Sequence, residues 1–213
     1  AALVVGGMIV YYLIFPLNYD SALTMVRKQM PEWYSASPWL VAVVGAIQGL
    51  LLSPFVNGPA TFGEEFGWRA YLLPKLMKLG SRRAIVWSGV IWGVWHAPLI
   101  VMGHNYGTAY PGAPWLGPLA MIWFCICVGA VLGWLAWRGG SVWPAVIGHA
   151  TLNGLANLPV LFVRGTPNPL LGPTVVGVVG GATFAVVALL LWWRRQAWER
   201  PAEPEPSGAA DHA

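Results

Sequence analysis

Charge is what this sequence has least of. Only 9% of its 213 residues are Asp, Glu, Lys or Arg, while 57% are hydrophobic; ordinary globular domains carry about a quarter charged residues. That deficit excludes a water-soluble domain and describes a chain counted in lipid-spanning segments of roughly 20 residues. Cysteine is nearly absent too. Cys125 and Cys127 lie two apart in an apolar run, where a helix points them in different directions, so neither a disulfide nor a metal pair is expected and both read as packing residues. Acidic residues are fewer than basic ones, leaving a net charge of +4. The basic residues sit between apolar spans rather than along an aromatic-lined face, which sets nucleic acid aside as a partner. The chain opens at Ala1 in an apolar run with no basic leader region. No signal peptide is expected there, and the opening reads as a cut edge with room for further spans upstream.

What remains is a series of apolar segments: Ala1 to Leu17, Trp39 to Val56, Thr61 to Lys78, Ala84 to Met102, Trp115 to Trp137, Val142 to Val163 and Thr174 to Trp193. Asn57, Gly58 and Pro59 predict a break before the third, with Thr61 as its N-cap. The expected fold is all-α, a polytopic transmembrane helical bundle enclosing a polar active site. Residues 1–36 form an N-terminal transmembrane segment and loop, residues 37–193 the membrane domain, and residues 194–213 a polar Pro/Glu/Ala tail too poor in apolar surface to fold. Placing the C-terminus inside collects Arg27, Lys28, Lys75, Lys78, Arg82, Arg83, Arg138, Arg194, Arg195 and Arg200 on one side. The positive-inside rule therefore predicts a multi-pass protein of the cell membrane with a cytoplasmic C-terminus and the bilayer as its surroundings.

Within these segments stand three polar clusters, each built on a spacing of four: Glu64-Glu65-x-x-x-Arg69, Trp92-x-x-x-His96 and His149-x-x-x-Asn153. On a helix that spacing places both members on one face. Ionisable groups are costly at membrane depth and are functional by default there. Adjacent carboxylates in a low-dielectric site resist joint ionisation, so one needs a cation. Arg69 meets Glu65 one turn away, which leaves Glu64 as the general base. Glu65 and Arg69 are then scaffold, and Trp92 packs against His96. His96 and His149 suit water activation, oxyanion donation or metal ligation, and Asn153 suits oxyanion donation. Glu64, His96 and His149 are the set that would hold Zn²⁺ if a metal is used. The His-Glu-x-x-His pair of soluble zinc proteases is absent. His104, in the Gly/Pro-rich loop from Gly103 to Pro114, and His212, in the tail, receive no role. One difficulty follows from a full crossing by each segment: at about 1.5 Å per residue, Glu64 and His149 differ in depth by roughly 15 Å.

In order, the chain reads Gly63-Glu64-Glu65-Phe66-Gly67-Trp68-Arg69, then Trp92-Gly93-Val94-Trp95-His96-Ala97-Pro98, then Trp143-Pro144-Ala145-Val146-Ile147-Gly148-His149-Ala150-Thr151-Leu152-Asn153. This ordered set resembles the CPBP family of intramembrane proteases, which includes the CAAX prenyl endopeptidases and bacterial Abi-type proteins; the resemblance covers roughly Trp39 to Val163. It implies an intramembrane endopeptidase acting on a membrane-associated peptide or protein substrate. Glu64 would be its catalytic glutamate, His96 the water-activating partner, and His149 with Asn153 the oxyanion pair, by a glutamate-dependent or a metalloprotease route. Trp92 stands where many members have Phe, and Ala70 where Gly is common. The residues also allow a noncatalytic membrane scaffold or bacteriocin-immunity-type protein that uses the same cluster for packing. A proton-coupled transporter is the third reading, disfavoured by few spans and no inverted repeat. Oligomeric state is left open.

Overall fold

The computed structural model describes residues 1–199. Among them the regular structure is helical, apart from one isolated antiparallel bridge between Tyr19 and Val163. The chain opens with helix α1 (Ala2–Ile14), followed by the short α2 (Thr24–Gln29) and by α3 (Pro38–Leu51), α4 (Ser53–Val56) and α5 (Gly58–Glu65). A π-helical stretch, Phe66–Leu72, leads into α6 (Leu73–Leu76). Then come α7 (Ser81–Val101), α8 (Leu116–Gly139), α9 (Trp143–Leu155) and α10 (Ala182–Trp193). Among the described residues three stretches are long and apolar enough to cross a membrane: Ser81–Val101, Leu116–Gly139 and Trp143–Phe162. With the shorter apolar helices α1, α3 and α10 around them, the result is an all-α membrane bundle.

Small residues set how closely the helices approach. A Cβ on Gly89 would fall 2.4 Å from the Ile126 Cα, and one on Gly93 2.5 Å from the Ile122 Cα. The two glycines are one turn apart on α7, so they form a stripe on which the α8 backbone rests, as small residues do at membrane helix contacts. Gly154 of α9 meets Gly49 of α3 and Ser53 of α4 in the same way. Ser53 Oγ also donates to the Ala150 carbonyl at 2.5 Å and accepts from Asn57 Nδ2 at 2.7 Å. α9 is thereby fixed to the α3–α4 segment along the turn that follows His149.

The structure departs from the sequence expectations at several boundaries. Thr61 is not a helix cap: α5 begins at Gly58 with Asn57 at the N-cap position, and Thr61 Oγ1 donates back to the Asn57 and Gly58 carbonyls. Asn57, Gly58 and Pro59 do mark a break, because Pro59 is tolerated in a first helical turn. The last span is shorter than Thr174 to Trp193. Helix α10 starts only at Ala182, and Thr174 to Gly181 coils irregularly. Gly177, Gly180 and Gly181 weaken any helix there. The freed backbone is buried against protein, where Tyr106 Oη donates to the Val176 carbonyl at 2.8 Å, as irregular backbone in a membrane protein requires. Arg194 to Glu199, placed with the tail by composition, folds back in a 3₁₀ turn that buries Trp198 to 5% exposure. The Trp137 indole donates to the Trp198 carbonyl at 2.6 Å, and the Trp198 indole to that of Leu191 at 3.1 Å. The rest of the expected tail, with His212 and Arg200, lies outside the described residues.

Candidate active site

The polar cluster is assembled where α5 and its π-helical continuation meet α7 and α9. The π turn has a local cause. Pro74 offers no N–H to the Ala70 carbonyl and its ring crowds that group, and widening the helix before it re-satisfies the backbone. Such turns recur at functional sites, and this one carries Arg69.

Glu65 is the centre of the buried part. It is 0% exposed, and its Oε1 accepts from Arg69 Nη1 at 2.7 Å and from His149 Nδ1 at 2.8 Å. The pairing of Glu65 with Arg69 is the one that the spacing predicts. The bond from His149 is not legible in spacing, because 84 residues separate the partners. It also closes the depth gap: side chains 2.8 Å apart share one level. The reason lies in α3 and α4, which already run along α9 through the Gly49, Ser53 and Gly154 contacts, so that the helix after Asn57 enters beside His149.

Glu64 stands apart from that ion cluster. It is half-buried, and its Oε2 accepts from the Trp92 indole N–H at 3.2 Å. His96, also half-buried, lies one turn along α7, with Nδ1 2.9 Å from the Trp92 carbonyl. A carbonyl can only accept, so Nδ1 carries the proton and the Nε2 lone pair of a neutral His96 is left for other partners. Cys125 Sγ approaches the same ring nitrogen at 3.8 Å, which makes this cysteine, expected only to pack, a neighbour of the site. The Arg69 guanidinium lies 4.2 Å from the Trp92 ring centroid, and the His149 ring meets the same indole edge-on at 5.4 Å. Asn153 is exposed one turn beyond His149 and is not drawn into the hydrogen-bonded cluster. His104 is exposed.

As placed, Glu64, His96 and His149 do not form a metal-holding group: among the described residues no three His, Cys, Asp or Glu side chains are so gathered. The arrangement does offer a half-buried carboxylate beside an imidazole with a free nitrogen, and behind them a second imidazole braced by a carboxylate–guanidinium pair. A carboxylate and imidazole so placed can take up, hold and return a proton. A second imidazole and an amide on the facing helix can donate to a developing oxyanion.

Residues 36–155 match the family model described as type II CAAX prenyl endopeptidase Rce1-like. A curated protein from Methanococcus maripaludis named CAAX prenyl protease 2 is 31% identical over 97 residues, which cover 44% of this chain and 35% of that protein. The match therefore spans about a third of that relative's length. No solved structure gives a significant match.

Proposed function

This chain belongs to the Rce1-like family of type II CAAX prenyl endopeptidases, and from that premise we propose that it is an intramembrane endopeptidase with Glu64 as its general base. The observation that carries the reading is the division of labour between adjacent carboxylates. Glu65 is consumed by Arg69 and His149, whereas Glu64 is half-buried and outside that cluster.

In the proposed reaction Glu64 takes a proton from a water that the His96 Nε2 lone pair orients. The water oxygen attacks the scissile carbonyl of a membrane-associated peptide or protein, forming a tetrahedral oxyanion. His149 and Asn153 face that charge. With Nδ1 already donating to Glu65, a donating Nε2 requires the imidazolium form. Collapse breaks the C–N bond, and Glu64 returns its proton to the leaving amine, giving a new carboxyl and a new amino terminus. No step runs through a metal. The bilayer encloses the chain as a multi-pass membrane protein, with the basic loops and C-terminus on the cytoplasmic side.

A second reading, a noncatalytic scaffold or immunity-type protein, is favoured by one observation: the Glu65, Arg69 and His149 network is buried and ties α5, its π continuation and α9 together. Glu64→Gln separates the two. In membranes of cells making wild type or Glu64→Gln at matched levels, new peptide termini should appear with wild type alone. Identical termini profiles with both proteins folded would reject the endopeptidase.

A further inference from the structure

We propose that Trp92 is a positioning residue that holds Glu64 and His96 in one fixed relation, through its indole N–H to the carboxylate and its own carbonyl to the imidazole. The inference rests on the endopeptidase reading for its catalytic meaning, but the geometry stands without it. Trp92 is 2% exposed. Among the described residues its indole is the one hydrogen-bond partner of the Glu64 carboxylate, at 3.2 Å, and its carbonyl takes the Nδ1 proton of His96 at 2.9 Å. One rigid residue thus fixes where the base points and which nitrogen of His96 is left free.

This use of the indole is not what burial alone delivers. Trp68 and Trp134 also bury their indole N–H groups, and neither has a hydrogen-bond partner. Trp92, by contrast, aims its N–H at a carboxylate. The ring itself is held from two further sides, by the Arg69 guanidinium at 4.2 Å and by the His149 ring at 5.4 Å. Behind it, Gly93 brings α7 onto Ile122 of α8. The indole therefore has little freedom to turn, and a hydrogen bond from a fixed donor fixes its acceptor. The orientation of a catalytic group is worth a great deal: displacement by about 1 Å can cost on the order of 10² in rate.

Trp92→Phe keeps an aromatic ring for Arg69 and the peptide carbonyl for His96, and removes only the N–H donor and part of the bicycle. Replacing the indole with benzothienylalanine at position 92 removes the N–H at nearly constant shape, which covers the case in which the phenyl ring packs poorly. With a cleaved peptide from the termini comparison as substrate, both variants should lose on the order of 10–100-fold in kcat, in line with the orientation effect, with KM within about twofold of wild type. An unchanged kcat in both, or a loss confined to KM, overturns the proposal. An infrared readout is independent of cleavage. The Glu64 carboxylate band, isolated as wild type minus Glu64→Gln, should shift when the same difference is taken in the Trp92→Phe background. An unmoved band overturns the proposal whether or not the protein cleaves anything. A shifted band in a protein that cleaves no substrate would sink the endopeptidase reading and leave the positioning intact.

Discussion

Neutralising Glu65 should damage the fold far more than neutralising Glu64 one residue away. Glu65 is fully buried and carries both Arg69 and His149 on one oxygen. In Glu65→Gln the amide oxygen can still accept from His149, but the Arg69 guanidinium, whose side chain is 1% exposed, is left as an uncompensated buried charge. Breaking a buried pair in this way costs about 3–5 kcal/mol. The contact of Arg69 with the Trp92 ring is present before and after the change, so it offsets nothing. The half-buried Glu64 carboxylate has one hydrogen-bond partner among the described residues, and Gln at position 64 keeps an acceptor for the indole, so the cost should stay under about 1 kcal/mol. The sharper arm is a double variant: Glu65→Gln with Arg69→Met removes the stranded charge at similar volume and should recover all but about 1 kcal/mol of the loss. Reversible unfolding by titrated SDS in mixed micelles measures all four proteins. If Glu65→Gln is as stable as wild type, or the double variant no better than the single, the buried network does not hold these helices together.

Helix approach can be tested on α7: Gly93→Ala places a methyl 2.5 Å from the Ile122 backbone and should cost about 1–3 kcal/mol, whereas Gly45→Ala, with nothing within 4 Å, should be neutral or stabilising; equal effects in the same SDS titration would mean α8 does not rest on the glycine stripe. Outside the spans, hydrogen bonds from Thr24 hold the Asp20 carboxyl below its ordinary value of 3.8, helped by the Ala22 amide. A carboxyl lowered on folding adds stability that is complete above its unfolded value and is lost as pH falls through the lower folded value. Hydrogen-exchange protection of the Ala22 and Thr24 amides should therefore persist at neutral pH and fade below about pH 4 on that ordinary carboxylate scale, and Asp20→Asn should remove the pH dependence. Protection that ignores pH in wild type would refute the assignment. Treating the purified protein with a zinc chelator should leave peptide cleavage unchanged; loss of activity restored by zinc alone would refute the metal-free route.

The parts of the site legible in the sequence were those governed by spacing within one helix. A spacing of four from Glu65 to Arg69 sets a 2.7 Å ion pair, and the same spacing from Trp92 to His96 brings imidazole to carbonyl. What spacing does not carry is the contact between helices. Nothing in 84 intervening residues says that His149 will choose Glu65, and so the depth of Glu64 against His149 could not be computed from counted residues. That depth is set by Gly49, Ser53 and Gly154, whose small size lets α3 and α4 lie along α9. The signal was present in the Gly89 and Gly93 spacing as well, since glycines one turn apart in an apolar helix mark a close contact. The misjudged ends have a common physical origin. Hydropathy counts Thr174 to Gly181 as membrane-compatible, but three glycines within that run weaken the helix, and a buried coil braced by Tyr106 is lower in cost than a strained one. Composition likewise counted Trp198 with the charged tail, although one buried indole with a hydrogen bond to the Leu191 carbonyl outweighs the polarity of its neighbours. Polar pairs inside a helix are fixed by period and can be read one helix at a time. The division of Glu64 from Glu65 depends on both at once, because the same turn that ties Glu65 to Arg69 rotates Glu64 toward an indole on α7 that only tertiary packing supplies.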